Sequence, residues 1–226
     1  MGIFAIAIDG PAGSGKTTVA KKISETMGII YIDTGAMYRA VAYYCMEKGI
    51  NPKDEAGVLS VLPEISLKIE IKDNRQLIFL NGEDVTLKIR TQEIGKGASD
   101  VGTILKVREY LVDMQRELAR KQSVVMDGRD IGTNVLPGAE VKVYLFADVG
   151  ERAERRLNEL RLMGIESDID EIKKQIIERD ENDMGRKHNP LKKAEDAIEI
   201  DTTRMTVDDV CGEIIEITKK RLGEAK

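Results

Sequence analysis

One stretch near the N-terminus reads Ile3-Phe4-Ala5-Ile6-Ala7-Ile8-Asp9-Gly10-Pro11-Ala12-Gly13-Ser14-Gly15-Lys16-Thr17. Its first six residues are all apolar, which is typical of a parallel strand buried on both faces. A helix is predicted from Lys16 to about Met27, because Val19, Ala20 and Ile23 recur at helical spacing. A glycine-rich segment therefore joins a strand to a helix, and this order favours an α/β fold with a central parallel sheet.

The glycine-rich segment matches the pattern G-x-x-x-x-G-K-[ST] in the strand-to-helix context that a phosphate-binding loop requires. Glycines let successive N–H groups point at a phosphate, and the helix N-terminus adds partial positive charge. Lys16 is expected to reach the β- and γ-phosphates, and the Thr17 hydroxyl to bind Mg²⁺. The alternative is an ordinary glycine-rich turn, but a chance match in a chain of this composition is roughly one in a hundred.

The chain beyond this loop continues the α/β pattern with one interruption. Further core strands are predicted at 29–32, 124–126, 141–147 and 197–201. Thr34 is expected to cap a helix that ends at Gly49. Alternating residues at 67–71 and a returning segment at 76–80, with turns at 73–75 and 81–82, predict a small inserted antiparallel sheet. Other helices are predicted at about 91–101, 105–121 and 206–222, with a charged helical region at about 149–185.

A carboxylate follows the apolar strand Val124-Val125-Met126, at Asp127. Ligands of open α/β sheets bind at the carboxyl ends of the strands. Because aspartate is common where strands end, this feature is weak by itself. Together with the phosphate loop it predicts that Asp127 and Thr17 bind Mg²⁺, Asp127 through water.

Composition places the chain among ordinary globular proteins. It has 226 residues, a formal charge of −5 and 42% hydrophobic residues, which is too apolar for disorder. At ~150 residues per domain, the length fits one core with inserted parts better than two independent domains. No run of ~18 apolar residues predicts a membrane span, and the acidic pI near 5.2 argues against nucleic-acid binding.

Cysteine and histidine are scarce. Cys45 and Cys211 are too few for a disulfide framework and are predicted to be core residues, so a cytoplasmic location is expected. The N-terminus lacks the basic segment of a signal peptide. The single histidine, His188, lies in a polar, loop-like stretch, which disfavours histidine-based metal sites.

Several arginines occupy positions suited to phosphate. Guanidinium groups are planar, always charged and able to bind phosphate with two hydrogen bonds. Arg39 and Arg129 follow predicted strand ends, and Arg179, Asp183 and Arg186 are spaced to share one helical face. Three more lie on the preceding helix: Arg152, Arg155 and Arg156. The alternative is that these are solvated helix faces with surface ion pairs, and for Arg152 the two interpretations are evenly balanced.

Two features of the sequence, a missing guanine-binding motif and the short chain, limit the classes of nucleotide-binding enzyme to which it can belong. The guanine-reading pattern Asn-Lys-x-Asp is absent, which disfavours a GTPase switch. Motor and transport ATPases usually need a longer chain. A short chain with a phosphate loop, dispersed arginines and a charged helical region indicates a kinase that acts on a small phosphorylated molecule.

These residues resemble those of the bacterial cytidylate kinases, a family of P-loop nucleoside monophosphate kinases. The similar stretches run through the whole chain: Ile8-Asp9-Gly10-Pro11 through Gly15-Lys16, Asp33-Thr34-Gly35-Ala36-Met37-Tyr38-Arg39, Ile89-Arg90-Thr91-Gln92-Glu93, Val107-Arg108-Glu109, Asp127-Gly128-Arg129-Asp130-Ile131-Gly132-Thr133, Glu178-Arg179-Asp180 with Asp183 and Arg186, and Ile200-Asp201-Thr202-Thr203. Asn134 departs from the family pattern, where an apolar residue is usual, and is expected to lie away from the catalytic residues. Some relatives carry glycine at the position of Thr17.

The resemblance implies specific site residues. The ATP phosphates would be held by Gly10, Pro11, Ala12, Gly13, Ser14, Gly15, Lys16, Thr17 and Thr18. The acceptor nucleotide, CMP or dCMP, would be bound by Thr34, Arg39, Ser99, Arg108, Arg129, Asp130, Arg179, Asp183 and Arg186. Among these, Ser99, Arg108 and Asp130 would read cytosine, and Arg179 and Asp183 would hold the ribose. The acceptor phosphate would be bound by Arg39, Arg129 and Arg186, which with Lys16 form the expected catalytic set.

The resemblance also implies an organisation and a set of partners. A three-layer P-loop core would comprise 1–34, 122–148 and 190–226. Residues 35–121 would bind the acceptor and contain the insert at about 66–86, and 149–189 would form a helical lid. ATP and CMP or dCMP would be the partners of a monomer in pyrimidine nucleotide metabolism, with no nucleic acid or membrane.

The implied reaction needs no general base, because the nucleophile is an oxygen of a phosphate group whose second pKa is about 6. Catalysis would come from positioning and charge neutralisation by Lys16, Mg²⁺ and arginines, with water excluded by lid closure. Two alternatives remain open. One is a P-loop kinase for another metabolite, such as UMP, shikimate or a pantothenate-pathway compound. The other is a nucleotide-dependent binding protein without turnover.

Overall fold

The computed structural model describes residues 2–72, 75–162 and 164–224. Its main sheet has five parallel strands in the order β2-β6-β1-β7-β8. The strands are β1 (Ala5–Asp9), β2 (Ile30–Asp33), β6 (Val124–Gly128), β7 (Val141–Phe146) and β8 (Ile198–Asp201). All five were predicted from the sequence, and the α/β P-loop fold class is confirmed.

The sheet separates two hydrophobic cores because successive side chains of a strand point to opposite faces. Ile6 and Ile8 of β1 belong to one core, whereas Ala7 between them belongs to the other. The first core is covered by α1 (Lys16–Met27) and α8 (Val207–Glu224). The second contains Val112 of α5 (Leu105–Lys121). Strand β1 is therefore buried on both faces, as its continuous apolar run predicts.

A second unit interrupts the α/β alternation between β2 and β6. It contains α2 (Thr34–Glu47), α3 (Glu55–Val61), α4 (Gln92–Val101) and α5, with an antiparallel sheet of β3 (Leu67–Lys72), β4 (Arg75–Leu80) and β5 (Glu83–Asp84). All of these elements except the exposed strand β5 contribute to a third hydrophobic core. Helix α3 was not predicted. The predicted turn at Asn81-Gly82 is present, with φ of 50° and 86°, whereas Asp73 and Asn74 lie outside the described residues.

Two helices form a hairpin between β7 and β8: α6 (Val149–Leu162) and α7 (Ile169–Met184). The hairpin has a small core of its own, which includes Leu157, Leu160, Ile172 and Ile176. Helix α7 also packs against α4 of the inserted unit. The charged region that the sequence predicts as helical is thus a helix pair that bridges the main sheet and the inserted unit.

Two details of the sequence prediction need correction. The residue that caps α2 is Asp33, whose carboxylate accepts the N–H of Ala36 at 2.9 Å, and Thr34 is the first helical residue. Helix α7 ends at Met184, so Arg186 lies in the following loop and does not share a helical face with Arg179. Both predicted core cysteines are free and buried. No helix in the described part of the chain has the length and apolar character needed to cross a bilayer.

Candidate active site

Three aspartates gather at the carboxyl edge of the main sheet. Strand register places Asp33 beside Asp127, and Asp9 beside Gly128. All three carboxyl groups are buried. Each one binds a different part of the surrounding chain, so the sheet edge acts as a common anchor for the loops that follow β1, β2 and β6.

Asp9 anchors the loop after β6. Its carboxylate accepts the N–H groups of Ile131 and Gly132 at 2.8 and 2.7 Å. Burial raises the pKa of Asp9 to about 7, although the two backbone hydrogen bonds oppose the rise. The phosphate loop and the segment that carries Arg129 and Asp130 are therefore tied together at their bases.

The phosphate loop has the backbone geometry that its glycines predict. A Cβ atom at Gly10 would clash with the carbonyl oxygen of Leu145, and Gly15 begins α1 in the left-handed region with φ of 86°. Lys16 is buried and donates to the Pro11 carbonyl at 2.5 Å and to Ser14 Oγ at 3.2 Å. Burial and the nearby Arg129 cation lower the pKa of Lys16 well below its ordinary value.

Thr17 and Asp127 meet at the mouth of this loop. Thr17 Oγ1 donates to one carboxylate oxygen of Asp127 at 2.9 Å, and the Tyr31 hydroxyl donates to the other at 2.8 Å. Thr34 Oγ1 donates to the Asp127 backbone carbonyl at 2.7 Å. Burial and the neighbouring Asp33 carboxylate raise the pKa of Asp127. These are hard oxygen ligands of the kind that Mg²⁺ prefers.

Asp33 holds two arginines as well as capping α2. Its Oδ2 atom accepts from Arg39 Nη2 at 3.1 Å and from Arg90 Nη1 at 2.8 Å. Burial acts to raise the pKa of Asp33, but the two guanidinium groups outweigh it, and the pKa is lowered. Arg39 is thereby held at the end of β2, facing the phosphate loop.

Asp183 on α7 gathers further arginines. It is almost fully buried, with 1% exposure, and accepts from Arg129 Nε at 2.5 Å and from Arg186. Ser99 Oγ lies 3.4 Å from the same carboxylate and accepts from Asn182 Nδ2 at 2.8 Å. Burial opposes ionisation, but the Arg129, Arg186 and Arg179 cations lower the pKa of Asp183. Helix α7 therefore brings two arginines from outside the helix to one point.

Arg108 and Asp130 form a buried ion pair beside this cluster. Arg108 is 1% exposed and donates to Asp130 Oδ2 at 2.5 Å and to the Gly102 carbonyl at 3.2 Å. Its guanidinium lies over the ring of Tyr38, 5.5 Å from the centroid. Burial acts to lower the pKa of Arg108, but Tyr38 and Asp130 raise it.

Four arginines carry an unused donor. Among the described residues, the fully buried side-chain polar atoms without a hydrogen-bond partner are the Nε atoms of Arg39, Arg108, Arg179 and Arg186. Leaving a buried donor unpaired costs roughly 1–3 kcal/mol. All four side chains line one cavity. A cavity lined by four guanidinium groups is suited to bind an anion.

Two cavities meet at the phosphate loop. The large cavity, of about 1550 Å³, runs from the loop between α6 and the 202–207 segment, and the small cavity, of about 200 Å³, is lined by the four arginines and Asp130. Lys16, Thr17 and Arg39 line both. Two ligands bound in these cavities would meet beside Lys16.

Comparison with known proteins identifies the family. A sequence model of the cytidylate kinases matches residues 6–220. The chain belongs to the cytidylate kinase family. It is an ATP-dependent phosphotransferase, a nucleoside monophosphate kinase that phosphorylates CMP.

Two relatives show how similar the chain is to this family. It is 49% identical to the cytidylate kinase of Caldicellulosiruptor bescii, over 95% of each chain. It is 50% identical to that of Geobacillus thermodenitrificans, over 96% of this chain and 97% of the relative. A gluconokinase from Sinorhizobium meliloti shares the fold, with a TM-score of 0.52 and 14% identity over 98% of this chain and 95% of that one.

The site residues predicted from this resemblance fall into one connected region of the kinase. Two groups line the cavities: Ala12, Gly13, Ser14, Gly15, Lys16, Thr17 and Thr18 line the large one, and Thr34, Arg39, Ser99, Arg108, Arg129, Asp130, Arg179, Asp183 and Arg186 line the small one. Gly10 and Pro11 lie at the base of the loop. The roles assigned to these residues remain predictions, but the tertiary structure brings the residues together.

Asn134 contacts one of the predicted base-reading residues. It lines neither cavity, but its Nδ2 donates to Asp130 Oδ2 at 3.0 Å. The chain after Asp130 folds into a helical turn, in which the Asn134 N–H donates to the Asp130 carbonyl at 2.9 Å. Side chains four positions apart lie close together in such a turn.

Arg152 is buried, not solvated. It donates to Asp180 at 2.5 Å, to the Ala12 carbonyl at 2.8 Å and to the Ala147 carbonyl at 3.0 Å. Asp180 in turn accepts the N–H of Ala12 at 3.1 Å. The sequence did not decide whether Arg152 is solvated, and no role was predicted for Asp180. The signal that could have indicated this pair is the presence of opposite charges on two successive predicted helices. This pair joins both helices of the α6–α7 hairpin to the phosphate loop.

Proposed function

We propose that this kinase transfers the γ-phosphoryl group of ATP to CMP or dCMP, with ATP in the large cavity and the acceptor in the small one. The observation that carries this assignment is the set of four arginine side chains, each with an unpaired Nε, that line the small cavity. They provide for an anionic acceptor beside Lys16, where the two cavities meet. With both nucleotides bound side by side, the phosphoryl group is transferred within one enzyme complex, and the two polyanions need not meet in solution.

On the donor side, residues 10–18 would cradle the ATP phosphates, with backbone N–H groups and the N-terminus of α1 supplying positive charge. Lys16 would leave its contacts with Pro11 and Ser14 to bind the transferred group. Thr17 and Asp127 would hold Mg²⁺, with nucleotide phosphates and water as the remaining ligands. The ion would supply charge neutralisation at the phosphates.

On the acceptor side, Arg39, Arg129 and Arg186 would bind the CMP phosphate. Arg129 and Arg186 are both paired with Asp183, which holds them near the end of β6. Arg179 makes no side-chain hydrogen bond with any described residue and lines both cavities, so it is available to a ligand. It would hold the ribose together with Asp183.

The cytosine ring would be read by Arg108, Asp130 and Ser99, with Thr34 nearby. Ser99 Oγ accepts a hydrogen bond from Asn182, and its own hydroxyl group donates toward Asp183. Arg108 and Asp130 contribute a donor and an acceptor, which match N3 and the C4 amino group of cytosine. The nucleophile is a phosphate oxygen that is largely ionised at pH 7, so these residues position the acceptor and need not remove a proton.

The chain would be organised as a lid, an acceptor-binding part and a core. Residues 149–189 would act as the lid that excludes water during transfer, and 35–121 as the acceptor-binding part on a core of 1–34, 122–148 and 190–226. The contacts of Arg152 and Asp180 with Ala12 support coupling between lid and phosphate loop. We also propose a monomer, and the free, buried cysteines support the expected cytoplasmic location.

A panel of acceptors tests this function. ADP release from ATP and Mg²⁺ would be followed with CMP, dCMP, UMP, AMP, shikimate or pantothenate as the acceptor. We expect CMP and dCMP to give the highest kcat/KM. A higher kcat/KM with another acceptor would contradict the substrate assignment, and the absence of acceptor-dependent ADP release would identify a binding protein.

A further inference from the structure

We propose that Asn134 is a positioning residue for acceptor recognition, which fixes the Asp130 carboxylate so that its second oxygen faces the base. The inference rests on the base-reading role proposed above for Asp130. It assigns a role in substrate selection to a residue that stands where the family pattern has an apolar side chain.

The local backbone explains how Asn134 reaches Asp130. In the helical turn, the N–H groups of Asn134 and Val135 both donate to the Asp130 carbonyl, at 2.9 and 3.1 Å. Asn134 is four positions after Asp130, the spacing at which side chains of a helical turn meet, and its Nδ2 donates to Asp130 Oδ2 at 3.0 Å.

Helix α5 holds both ends of this turn. Arg108 binds the Asp130 side chain at the start. Two turns further along α5, Arg116 donates to the carbonyls of Asn134 and Val135 at 2.7 and 3.1 Å. Arg116 therefore fixes the backbone that carries the Asn134 side chain. Because this backbone is fixed, the hydrogen bond from the Asn134 amide limits the movement of the Asp130 carboxylate.

The two oxygens of Asp130 differ as a result. Oδ2 accepts from Arg108 and Asn134, whereas no described residue donates to Oδ1. Asp130 is buried and lines the small cavity. A carboxylate held through one oxygen by two donors has little freedom to rotate, so Oδ1 stays available for the amino group of a cytosine. Asn134 is a neutral donor. It therefore holds Asp130 without adding a charge that would disturb the adjacent arginines.

The test replaces Asn134 by leucine, which has a similar size but no donor. For Asn134→Leu we expect KM for CMP to rise about tenfold, the CMP-over-UMP ratio of kcat/KM to fall, and KM for ATP to stay unchanged. Asn134→Ala, which also lacks the donor, should behave alike and replaces the leucine variant if that variant does not fold. Thr133→Ala is the matched control, because Thr133 is an exposed neighbour on the same turn. It should leave all three quantities unchanged.

A double substitution shows whether Asn134 acts through Asp130. In an Asp130→Ala background, Asn134→Leu should cause no further loss of the CMP-over-UMP ratio. An equal loss in both backgrounds would overturn the proposal, as would an unchanged KM for CMP in Asn134→Leu itself. Failure of the proposed function is a separate observation, since the unmodified protein would then show no preference for CMP in the acceptor panel.

Discussion

Gln76 exchanges two hydrogen bonds with the backbone of Asp33. Its Oε1 accepts the Asp33 N–H at 2.8 Å, and its Nε2 donates to the Asp33 carbonyl at 3.1 Å. The inserted antiparallel sheet thus completes the backbone hydrogen bonding at the end of β2, 43 residues away in sequence. Since Asp33 also holds Arg39, the insert supports the acceptor side of the site.

Replacing Gln76 by alanine should affect both stability and acceptor binding. Two buried backbone groups would lose their partners, so we expect the free energy of unfolding to fall by about 1–3 kcal/mol. KM for CMP should rise, because Arg39 depends on Asp33 for its position. Urea denaturation and steady-state kinetics measure the two effects. Gln122→Ala is the control, since Gln122 makes no side-chain hydrogen bond with a described residue. An unchanged KM for CMP would show that the insert does not position Arg39.

Lys16→Ala should abolish most of the activity and leave the fold intact. The lysine would contact charge that develops on the transferred group, so its loss acts mainly on the transition state. We expect kcat to fall by at least ~10²-fold, with an unchanged melting temperature. Lys21→Ala on the exposed side of α1 is the control. A kcat within threefold of the wild type would place Lys16 outside the reaction.

The choice between cytosine and uracil should depend on Arg108 and Asp130. In uracil an acceptor replaces the C4 amino group and N3 becomes a donor, so each residue would face a group of the wrong kind. Two unpaired buried groups at roughly 1–3 kcal/mol each predict a preference for CMP over UMP of ~10²-fold or more in kcat/KM. Asp130→Ala and Arg108→Met should each lower activity with CMP and narrow that ratio.

The two residues also bind each other, so each substitution can act through the other. The ratio between CMP and UMP, rather than the activity with CMP alone, is therefore the decisive quantity. Glu109→Ala is the control, because Glu109 is an exposed neighbour of Arg108 on α5. If both variants retain the wild-type ratio, the base is read elsewhere.

Arg152→Met should destabilise the kinase because it leaves Asp180 buried without its cationic partner. Removal of one member of a buried ion pair costs about 3–5 kcal/mol, and we expect a loss of that order in the free energy of unfolding. Adding Asp180→Asn should restore part of it, since no buried charge is then left unpaired. Arg156→Met is the control: its pair with Glu159 is at the surface, where ion pairs contribute ~0–1 kcal/mol. Equal losses in the two single variants would contradict the buried-pair assignment.

Asp9 should give the kinase a stability component that falls as pH rises. Its pKa is raised from 3.8 to about 7 by burial, so between these values the folded state binds more protons than the unfolded state. Stability therefore decreases with pH across this window, and the full difference corresponds to ~4 kcal/mol.

The measurement compares the wild type with Asp9→Asn, which has no titrating group at this position. The free energy of unfolding of the wild type relative to the variant should fall from about pH 4 to 7 and stay level above that. Asp201→Asn is the control, because a hydrogen bond from Thr203 lowers the pKa of exposed Asp201 and its difference should be flat over the same range. A difference that rises with pH would mean that Asp9 is ionised in the folded kinase at low pH.

The sequence by itself determined the local elements of this protein. The apolar run before Asp9 and the glycine spacing before Lys16 specify a strand, a phosphate loop and a helix, because each depends on residues that are neighbours in sequence. The small antiparallel sheet was predicted from the alternation at 67–71 and from the turn residues on either side of 76–80. Even the region of the site was predictable, since strand ends of a parallel sheet lie along one edge.

Only the tertiary structure decided which side chains meet. Arg129 and Asp183 are 54 residues apart, and Arg152 and Asp180 are 28 apart. Their pairing depends on how α6 and α7 pack onto the phosphate loop, which no local pattern encodes. Asn134 and Asp130 are only four residues apart, but their contact depends on a turn that Arg116 of α5 holds in place. Contacts of this kind arise from packing between elements, and their geometry is fixed only when the whole chain has folded.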